Sequence, residues 1–288
     1  MNYDQFVQKL LACVKERLLP SETVEKHELL KNNGVCAVGL SIRKKEETVV
    51  PVVYLEEYYE CFQQGERVED LAGHLLARSR MALPAPDWDY QQFYDFQAVK
   101  DRIAYKLVNG ERNETLLKEV PHLAALDLAI VFYLMIPCKE ADCCSILIKN
   151  SHLEQWKKGI PDLYQCARKN MPKLCPPVLR PLTEFIEELS GERLESCPMY
   201  VLTNENGIHG ASALLYPGMP ERIRTLMKRN YYLLPSSIHE FLIVPEDPAV
   251  CADNLNEMVK EVNATQIRKE ELLSDHIYYF NGYNITKI

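Results

Sequence analysis

The feature that most constrains the fold is an unbroken apolar run from Leu128 to Ile136. A membrane-spanning helix needs about 20 apolar residues, so this run is too short to cross a bilayer. It is bounded by Asp127 on one side and by Pro137 and a polar loop on the other. A short apolar run with such boundaries is typical of a strand buried on both faces. The run therefore predicts a central strand of a covered sheet.

The order of the predicted elements indicates the fold class. Apolar spacing predicts a helix over residues 3–19, and the strands Val24–Leu30 and Val35–Ile42 flank a predicted turn at Asn32–Gly34, where Asn and Gly tolerate positive φ. Val49–Leu55 contains Pro51 and predicts an edge strand. Two helices, over residues 56–62 and 68–80 with Gly65 between them, should follow.

The later predicted elements are a strand Ser145–Ile148, a helix capped by Ser151, a helix opened by Pro161, a proline-rich separator Pro172–Pro181, a strand Met199–Leu202, an apolar stretch Ala211–Tyr216, strands Tyr231–Leu234 and Phe241–Val244 around a turn at Pro235–Ser237, and a final strand Ile277–Phe280. Strands follow one another through loops more often than through helices, so we predict an α+β fold of largely antiparallel sheets with helices packed on one face.

The domain organisation is predicted from a proline-containing segment at Leu83–Asp87, because prolines disfavour regular structure. Residues 1–83 are predicted to form a small N-terminal helix–hairpin–helix region. Residues 84–288 are predicted to form a larger α+β domain, with possible sub-units over residues 95–172 and 180–288.

Charge and cysteine usage narrow the class of protein. The net charge of −8 repels phosphate backbones, so nucleic acid is a disfavoured partner. The N-terminus lacks the positive flank and apolar run of a signal peptide, so we expect a cytoplasmic protein without a membrane partner. Ten cysteines are present, but only Cys138, Cys143 and Cys144 cluster, and a zinc site usually needs a second pair of ligands. We therefore expect no metal and no cofactor.

Motifs of high specificity are absent from the sequence. It contains no glycine-rich phosphate loop and no G-x-S-x-G nucleophile elbow. Two His-Glu pairs, at His27 and His239, lack the second histidine one helical turn later that a zinc protease needs, because Lys31 and Ile243 occupy those positions. Neither pair therefore predicts a metalloprotease.

The catalytic candidates are His239, Ser237 and Ser212. Serine, histidine and glutamate occur together in Ser236–Glu240, and these side chains can act as nucleophile, base and orienting group. In an extended segment, however, Ser237 and His239 would lie on one face and Glu240 on the other. The alternative interpretation is a turn in which the serine hydroxyls bond nearby backbone amides.

The ligand-binding candidates lie in two loops. The first loop holds Asn204, Asn206 and His209, and its glycines allow the backbone to approach a ligand closely. The second holds Asn150 and His152 at a strand-to-helix junction, where a helix cap is the simpler interpretation. A flexible connection is the alternative for the first loop.

Several segments together carry a resemblance to a known family. They are Lys31–Gly34, Val99–Arg102, Asp127–Val131, Asn150–Leu153 with Trp156, Met199–Leu202 with Asn204, Leu234–Glu240, Val262–Asn263 and Leu273–Asp275. On these segments the chain resembles, over nearly its whole length, the uncharacterised bacterial domain-of-unknown-function family 5688, seen chiefly in gut Gram-positive anaerobes. Residues 125–245 resemble a second uncharacterised bacterial family more distantly. Neither resemblance implies an activity, a cofactor or a catalytic residue.

Three functions remain open from the sequence. We expect a non-enzymatic binding or interaction protein of bacterial or mobile-element origin, whose partner is a protein or a small molecule. The first alternative is a hydrolase-like enzyme that uses His239 with Ser212 or Ser237. The second alternative is a nucleic-acid-associated regulator, which the negative charge disfavours.

Overall fold

The structure is a computed structural model, and it describes residues 1–44, 50, 52–81, 90–136, 144–191 and 197–288. The chain divides into two compact units. The first comprises Met1–Lys31, Val35–Tyr94 and Met135–Ile146, and the second comprises Asn32–Gly34, Asp95–Leu134 and Leu147–Ile288. The predicted domain boundary near residue 83 falls outside the described residues and stays a prediction. Cys138 and Cys143 also lie outside the described residues.

The first unit begins with helix α1 (Tyr3–Lys15), as the apolar spacing predicts. The Asn2 side chain accepts a hydrogen bond from the backbone N–H of Gln5 at 2.9 Å, and Gln5 Oε1 accepts one from the Asn2 N–H at 3.2 Å. This reciprocal capping satisfies two backbone donors that the first turn leaves unpaired. The buried face of the helix consists of Phe6, Val7, Leu10 and Val14.

The predicted hairpin is confirmed. Strands β1 (Glu22–Leu30) and β2 (Cys36–Lys44) pair antiparallel, and the register closes with Leu30 opposite Cys36. Asn33 and Gly34, in the turn between them, have φ values of 58° and 71°. Asn and Gly populate this left-handed region at low cost, which explains why the chain reverses here.

The rest of the first unit also follows the prediction. Strand β3 (Val52–Tyr54) pairs with β2 at the outside of a three-stranded sheet of order β1-β2-β3, so the edge-strand prediction is confirmed. Helices α2 (Glu56–Gln63) and α3 (Val68–Met81) follow, and Gly65 with φ 105° separates them.

The second unit starts with a sheet built around the apolar run. Its elements are α4 (Phe96–Val99), β4 (Ile103–Asn109), α5 (Glu114–Glu119), β5 (His122–Ala125) and β6 (Leu128–Ile136), and β7 (Cys144–Leu147) follows along the chain. The last two residues of β6 and residues Cys144–Ile146 of β7 belong to the first unit. Strand β6 pairs antiparallel with β4 and β5 and also pairs with β7. All residues of β6 except Met135 are buried, which confirms the predicted central strand. The short strand β5 was not predicted, because its sequence shows no alternation.

Two helices connect this sheet to the next. Helix α6 (Asn150–Trp156) begins two residues earlier than a cap at Ser151 requires, so the expected Ser151 cap is wrong. The Lys149 N–H instead donates to His152 Nδ1 at 3.0 Å. Helix α7 (Ile160–Leu174) carries Pro161 in its first turn, as predicted, because a proline there removes no helical hydrogen bond.

A further sheet of the second unit is formed by strands from the C-terminal part of the chain. Its elements are β8 (Pro177–Pro181), α8 (Leu182–Ser190), β9 (Tyr200–Asn204), α9 (Met219–Met227), β10 (Tyr231–Ser237), β11 (Glu240–Pro245), α10 (Ala252–Thr265), β12 (Tyr278–Phe280) and β13 (Ile285–Lys287). The strand order is β13-β12-β10-β11-β9-β8, and each neighbouring pair is antiparallel. The α+β class with largely antiparallel sheets is therefore confirmed.

Two sequence predictions for this region are wrong, those of the proline-rich separator and of the final strand, and the apolar stretch Ala211–Tyr216 carried no prediction of secondary structure. The proline-rich separator contains strand β8, which tolerates prolines because it lies at the sheet edge. The apolar stretch after His209 forms a 3₁₀-helix over Gly210–Leu215. Strand β12 is not the last strand, because β13 pairs with it across a tight turn.

The turn between β10 and β11 also differs from the prediction. Strand β10 continues through Pro235 to Ser237, with an irregular register between these two residues. The reversal is made by Ile238 and His239. His239 therefore lies at the end of the sheet, beside the segment that leaves β9.

Candidate functional site

The candidate site is built where the chain returns after β9. His209 has φ 54°, and the next residue, Gly210, begins the 3₁₀-helix. A Cβ atom on Gly210 would lie 2.8 Å from the Asn204 backbone nitrogen and still closer to Thr203 Oγ1 and to the His239 carbonyl oxygen. Glycine is thus the only residue that lets this segment pack against the end of the sheet without displacing backbone.

Two histidines are joined directly at this point. The backbone N–H of His209 donates to His239 Nδ1 at 3.2 Å. The two rings lie parallel, with an interplanar angle of 6° and a centroid separation of 6.0 Å. Because Nδ1 of His239 accepts a hydrogen bond, the hydrogen of the neutral ring is placed on Nε2.

A carboxylate faces the other nitrogen of His239. Glu271 Oε1 lies 3.8 Å from His239 Nε2, and both side chains are partly exposed. The Glu271 backbone carbonyl accepts the N–H of Ile238 at 2.8 Å, which fixes this segment against the turn. His239 is therefore held between a backbone donor on Nδ1 and a carboxylate near Nε2.

Both candidate serines are bonded to backbone groups. Ser237 Oγ accepts the N–H of His239 at 3.0 Å, and Ser212 Oγ donates to the His209 carbonyl oxygen at 2.7 Å. Both residues are buried. Within the described residues, no hydrogen bond joins either hydroxyl to an imidazole nitrogen. This geometry is what the turn interpretation predicts, and it lacks the serine–histidine pair that a nucleophile needs.

The sheet of strands β4, β6 and β5 contributes a lysine and a tyrosine. Lys106 of β4 lies opposite Val131 of β6, and Tyr133 lies opposite Ala104. Residues that face each other across an antiparallel pair point to one side, so Lys106 and Tyr133 are diagonal neighbours on the same face. The Tyr133 ring meets the His209 ring edge-on, with centroids 5.6 Å apart. We call Lys106, Tyr133, His209, His239 and Glu271 the His209 cluster.

The surroundings shift the protonation of two members of this cluster. Burial lowers the pKa of the Lys106 ammonium to about 8, and burial is the only resolved cause. Burial, then the charge of Lys106, then His239 hold the pKa of His209 well below its usual value of 6.5. Lys106 is the one residue of β4, among Ile103–Asn109, that is only partly buried. At pH 7 a mostly charged lysine therefore lies near a neutral histidine.

Asn204 adds a buried acceptor beside the cluster. Its Nδ2 donates to the Ile208 carbonyl oxygen at 2.9 Å and closes the loop. Its Oδ1 is buried and has no hydrogen-bond partner among the described residues. A buried acceptor without a partner costs about 1–3 kcal/mol, and a donor from a ligand or a water molecule at this position would remove that cost.

The other candidates bond to different parts of the second unit. Asn206 Nδ2 donates to the Leu174 carbonyl oxygen at 3.3 Å. Asn150 Nδ2 donates to the Lys118 carbonyl oxygen at 3.1 Å, and the His152 ring lies 6.0 Å from that of Trp156. The structure thus brings Asn204, His209, Ser212, Ser237 and His239 together, and it leaves Asn150, His152 and Asn206 elsewhere.

Sequence reasoning missed three members of the cluster. Lys106 gave a usable signal, because it is a charged residue in the otherwise mostly apolar segment Ile103–Val108. Tyr133 is hidden in the apolar run, and Glu271 lies in a charged segment without a motif. Only the pairing of β4 with β6 and the contact of the two histidines bring these residues together.

The described part of the chain contains neither a metal-binding cluster nor a membrane-spanning helix. No group of three or more His, Cys, Asp or Glu side chains within it is arranged to hold a metal ion. No helix among the described residues has the length and apolar character to cross a membrane.

Comparisons with known proteins return a family model and no individual relative. The model, described as a family of unknown function (DUF5688), matches residues 3–282. No curated protein and no solved structure matches the chain.

Proposed function

We propose, from the premise that this chain belongs to the DUF5688 family of unknown function, that it is a binding protein for a small organic carboxylate. The ligand would bind at the His209 cluster. One observation carries this proposal. Lys106 is a desolvated cation, and its ammonium forms no ion pair or hydrogen bond among the described residues. A buried ammonium without a counter-ion is unfavourable, and an anionic ligand would supply the missing charge.

The size of the charge supports a carboxylate. Lys106 is the only lysine or arginine in the His209 cluster, and His209 is neutral at pH 7. A single positive charge matches a monoanion better than a phosphate dianion. The ring of Tyr133 and the imidazole of His209 offer an apolar surface for the remainder of the ligand.

The test uses the lysine itself as the reporter. The pKa of Lys106 is measured by carbon NMR on protein labelled at lysine Cε, with acetate, pyruvate and benzoate as probes. Binding of a carboxylate should raise that pKa from about 8 toward its usual value of 10.5. If none of the three probes moves the resonance at concentrations up to about 50 mM, the proposal is wrong.

A matched pair of variants locates the binding. Lys106→Met removes the charge and keeps an unbranched side chain, so it should abolish binding of the best probe. Lys118→Met removes an exposed charge from helix α5 and should leave binding unchanged. Equal losses in both variants would mean that the anions respond only to net charge.

The hydrolase alternative has less support. It requires Ser212 or Ser237 to release its backbone hydrogen bond and reach His239. Substitution of His239 by Ala should then abolish an esterase activity, if one is found with simple aryl esters. An activity that survives His239→Ala would end that alternative.

A further inference from the structure

A cavity lies elsewhere in the second unit, and none of its lining residues belongs to the His209 cluster. It has a volume of about 660 Å³ and opens to solvent. Ile267 and Leu272 form part of an apolar wall, whereas the charged side chains on its surface are Arg112, Lys260, Lys269 and Asp275. Cavities of about 300–1,000 Å³ with an apolar wall and a few polar groups are typical of small-molecule sites.

The backbone of the cavity is held by an asparagine in the turn between β1 and β2. Asn33 Nδ2 donates to the carbonyl oxygens of Lys269 at 2.7 Å and Leu272 at 2.8 Å. The Asn33 N–H donates to Asn113 Oδ1 at 2.8 Å, and Asn113 Nδ2 returns a bond to Asn33 Oδ1 at 2.8 Å. These bonds fix the backbone of the segment that carries Lys269.

Arg112 is positioned from two sides. Its backbone N–H donates to Asn109 Oδ1 at 2.8 Å, and one Nη2 donor bonds Asp275 Oδ2 at 2.5 Å. Asp275 is in turn fixed by Asn263, whose Nδ2 donates to Asp275 Oδ1 at 2.9 Å. Among the described residues, Nε and Nη1 of Arg112 make no hydrogen bond, so these two donors remain available.

The charge of the cavity is opposite to that of the chain. Three basic side chains and one carboxylate line it, although the whole chain has a net charge of −8. Neither Lys260 nor Lys269 forms an ion pair within the described residues. A local excess of two positive charges on a negative protein favours a ligand with two negative charges.

We propose that this cavity binds a small molecule through a phosphate group. Arg112, Lys260 and Lys269 contact the phosphate oxygens, and the guanidinium uses the two donors that Asp275 leaves available. The organic part of the ligand packs against Ile267 and Leu272. This site is independent of the carboxylate site proposed above, because the two share no residue.

The experiment measures binding of adenosine 5′-monophosphate and of inorganic phosphate by calorimetry. The double variant Lys260→Ala/Lys269→Ala should weaken binding of the monophosphate by at least about tenfold, which corresponds to about 1.4 kcal/mol. The control Lys118→Ala/Lys173→Ala removes the same charge from other exposed positions and should change the affinity less than about twofold. Equal losses in both double variants, or no binding of either probe by the wild type at about 10 mM, would overturn the proposal.

A second variant keeps the test independent of folding. Asp275→Asn removes the negative charge and keeps the oxygen that accepts from Asn263. It should strengthen phosphate binding severalfold, because the carboxylate repels the ligand and occupies part of the Arg112 fork. Weaker binding by this variant, with an unchanged thermal transition, would mean that the cavity does not select anions.

Discussion

The backbone N–H of His209 donates a hydrogen bond to Nδ1 of His239 at 3.2 Å, and the two imidazole rings lie parallel. The bond joins the segment after β9 to the turn between β10 and β11. It requires an unprotonated Nδ1, so it fixes the neutral tautomer of His239 with its hydrogen on Nε2. At this point in the chain His209 has a positive φ of 54°, and its ring lies against the ring of Tyr133.

Adding a methyl group at Gly210 should destabilise the protein. In Gly210→Ala the new Cβ meets backbone of Asn204 and His239, which cannot move without disturbing two strands. We expect a loss of about 1–3 kcal/mol in the free energy of unfolding, measured by urea denaturation. Gly73→Ala is the control. Gly73 lies inside helix α3, and a Cβ atom there would be 3.5 Å from Arg17 Nη1, which is an ordinary contact distance. An equal effect of both substitutions would contradict the steric explanation.

The protonation of His209 should make stability depend on pH. Its pKa in the folded protein lies well below 6.5, so below pH 6.5 the unfolded chain binds a proton that the folded chain does not. Stability therefore falls as the pH is lowered from 6.5 toward 5, with a slope of at most about 1.4 kcal/mol per pH unit from this group. His209→Asn, which tolerates the positive φ, should flatten this slope in urea titrations at several pH values. An unchanged slope would show that other groups cause the acid sensitivity.

Removing the charge of Lys106 should stabilise the protein. Burial lowers the pKa of Lys106 from 10.5 to about 8, so the folded state is penalised wherever the lysine is charged. Lys106→Met should raise the free energy of unfolding by about 1–3 kcal/mol at pH 7. Because the unfolded lysine loses its proton only near pH 10.5, the gain should shrink between pH 8 and pH 10.5. A destabilised Lys106→Met variant would indicate a partner for the ammonium.

The amide of Asn33 should contribute strongly to stability. Asn33→Gly retains the positive φ and removes the two donors to Lys269 and Leu272, together with the acceptor for Asn113. The bonds to Leu272 and Asn113 are partly buried, so we expect a loss of about 1–3 kcal/mol in thermal or urea unfolding. Asn206→Gly removes an exposed amide whose two bonds, to the Leu174 carbonyl oxygen at 3.3 Å and to Cys175 Sγ at 3.4 Å, are long and weak, so it should cost less. Similar losses in both variants would mean that the glycine itself, through its entropy when unfolded, causes the effect.

Features with a local cause could be predicted from the sequence. The hairpin turn at Asn33 and Gly34 follows from backbone preference, and α1 follows from apolar spacing with a capping pair at Asn2 and Gln5. The central strand β6 follows from its continuous apolar character. Each of these depends on residues within one element or one turn, so the order of the residues alone contains the signal.

Other features depend on which strands pair. The segment at Pro177–Pro181 is a strand because β9 offers it an edge partner, and the reversal at Ile238 and His239 is set by the register of β10 with β11. Turn-forming residues at Pro235 and Ser236 predicted a different position, since local propensity is a weak preference that sheet pairing overrides.

The sequence by itself determined the α+β class, the first hairpin and the buried centre of one sheet, because periodicity and turn chemistry act over a few residues. Only the tertiary structure decided that Lys106, Tyr133 and His209 share one site and that Glu271 faces His239. These residues are far apart along the chain, and their contacts exist only after two sheets have formed. The lowered pKa values of Lys106 and His209 likewise arise from burial, which is a property of the assembled fold and not of either residue.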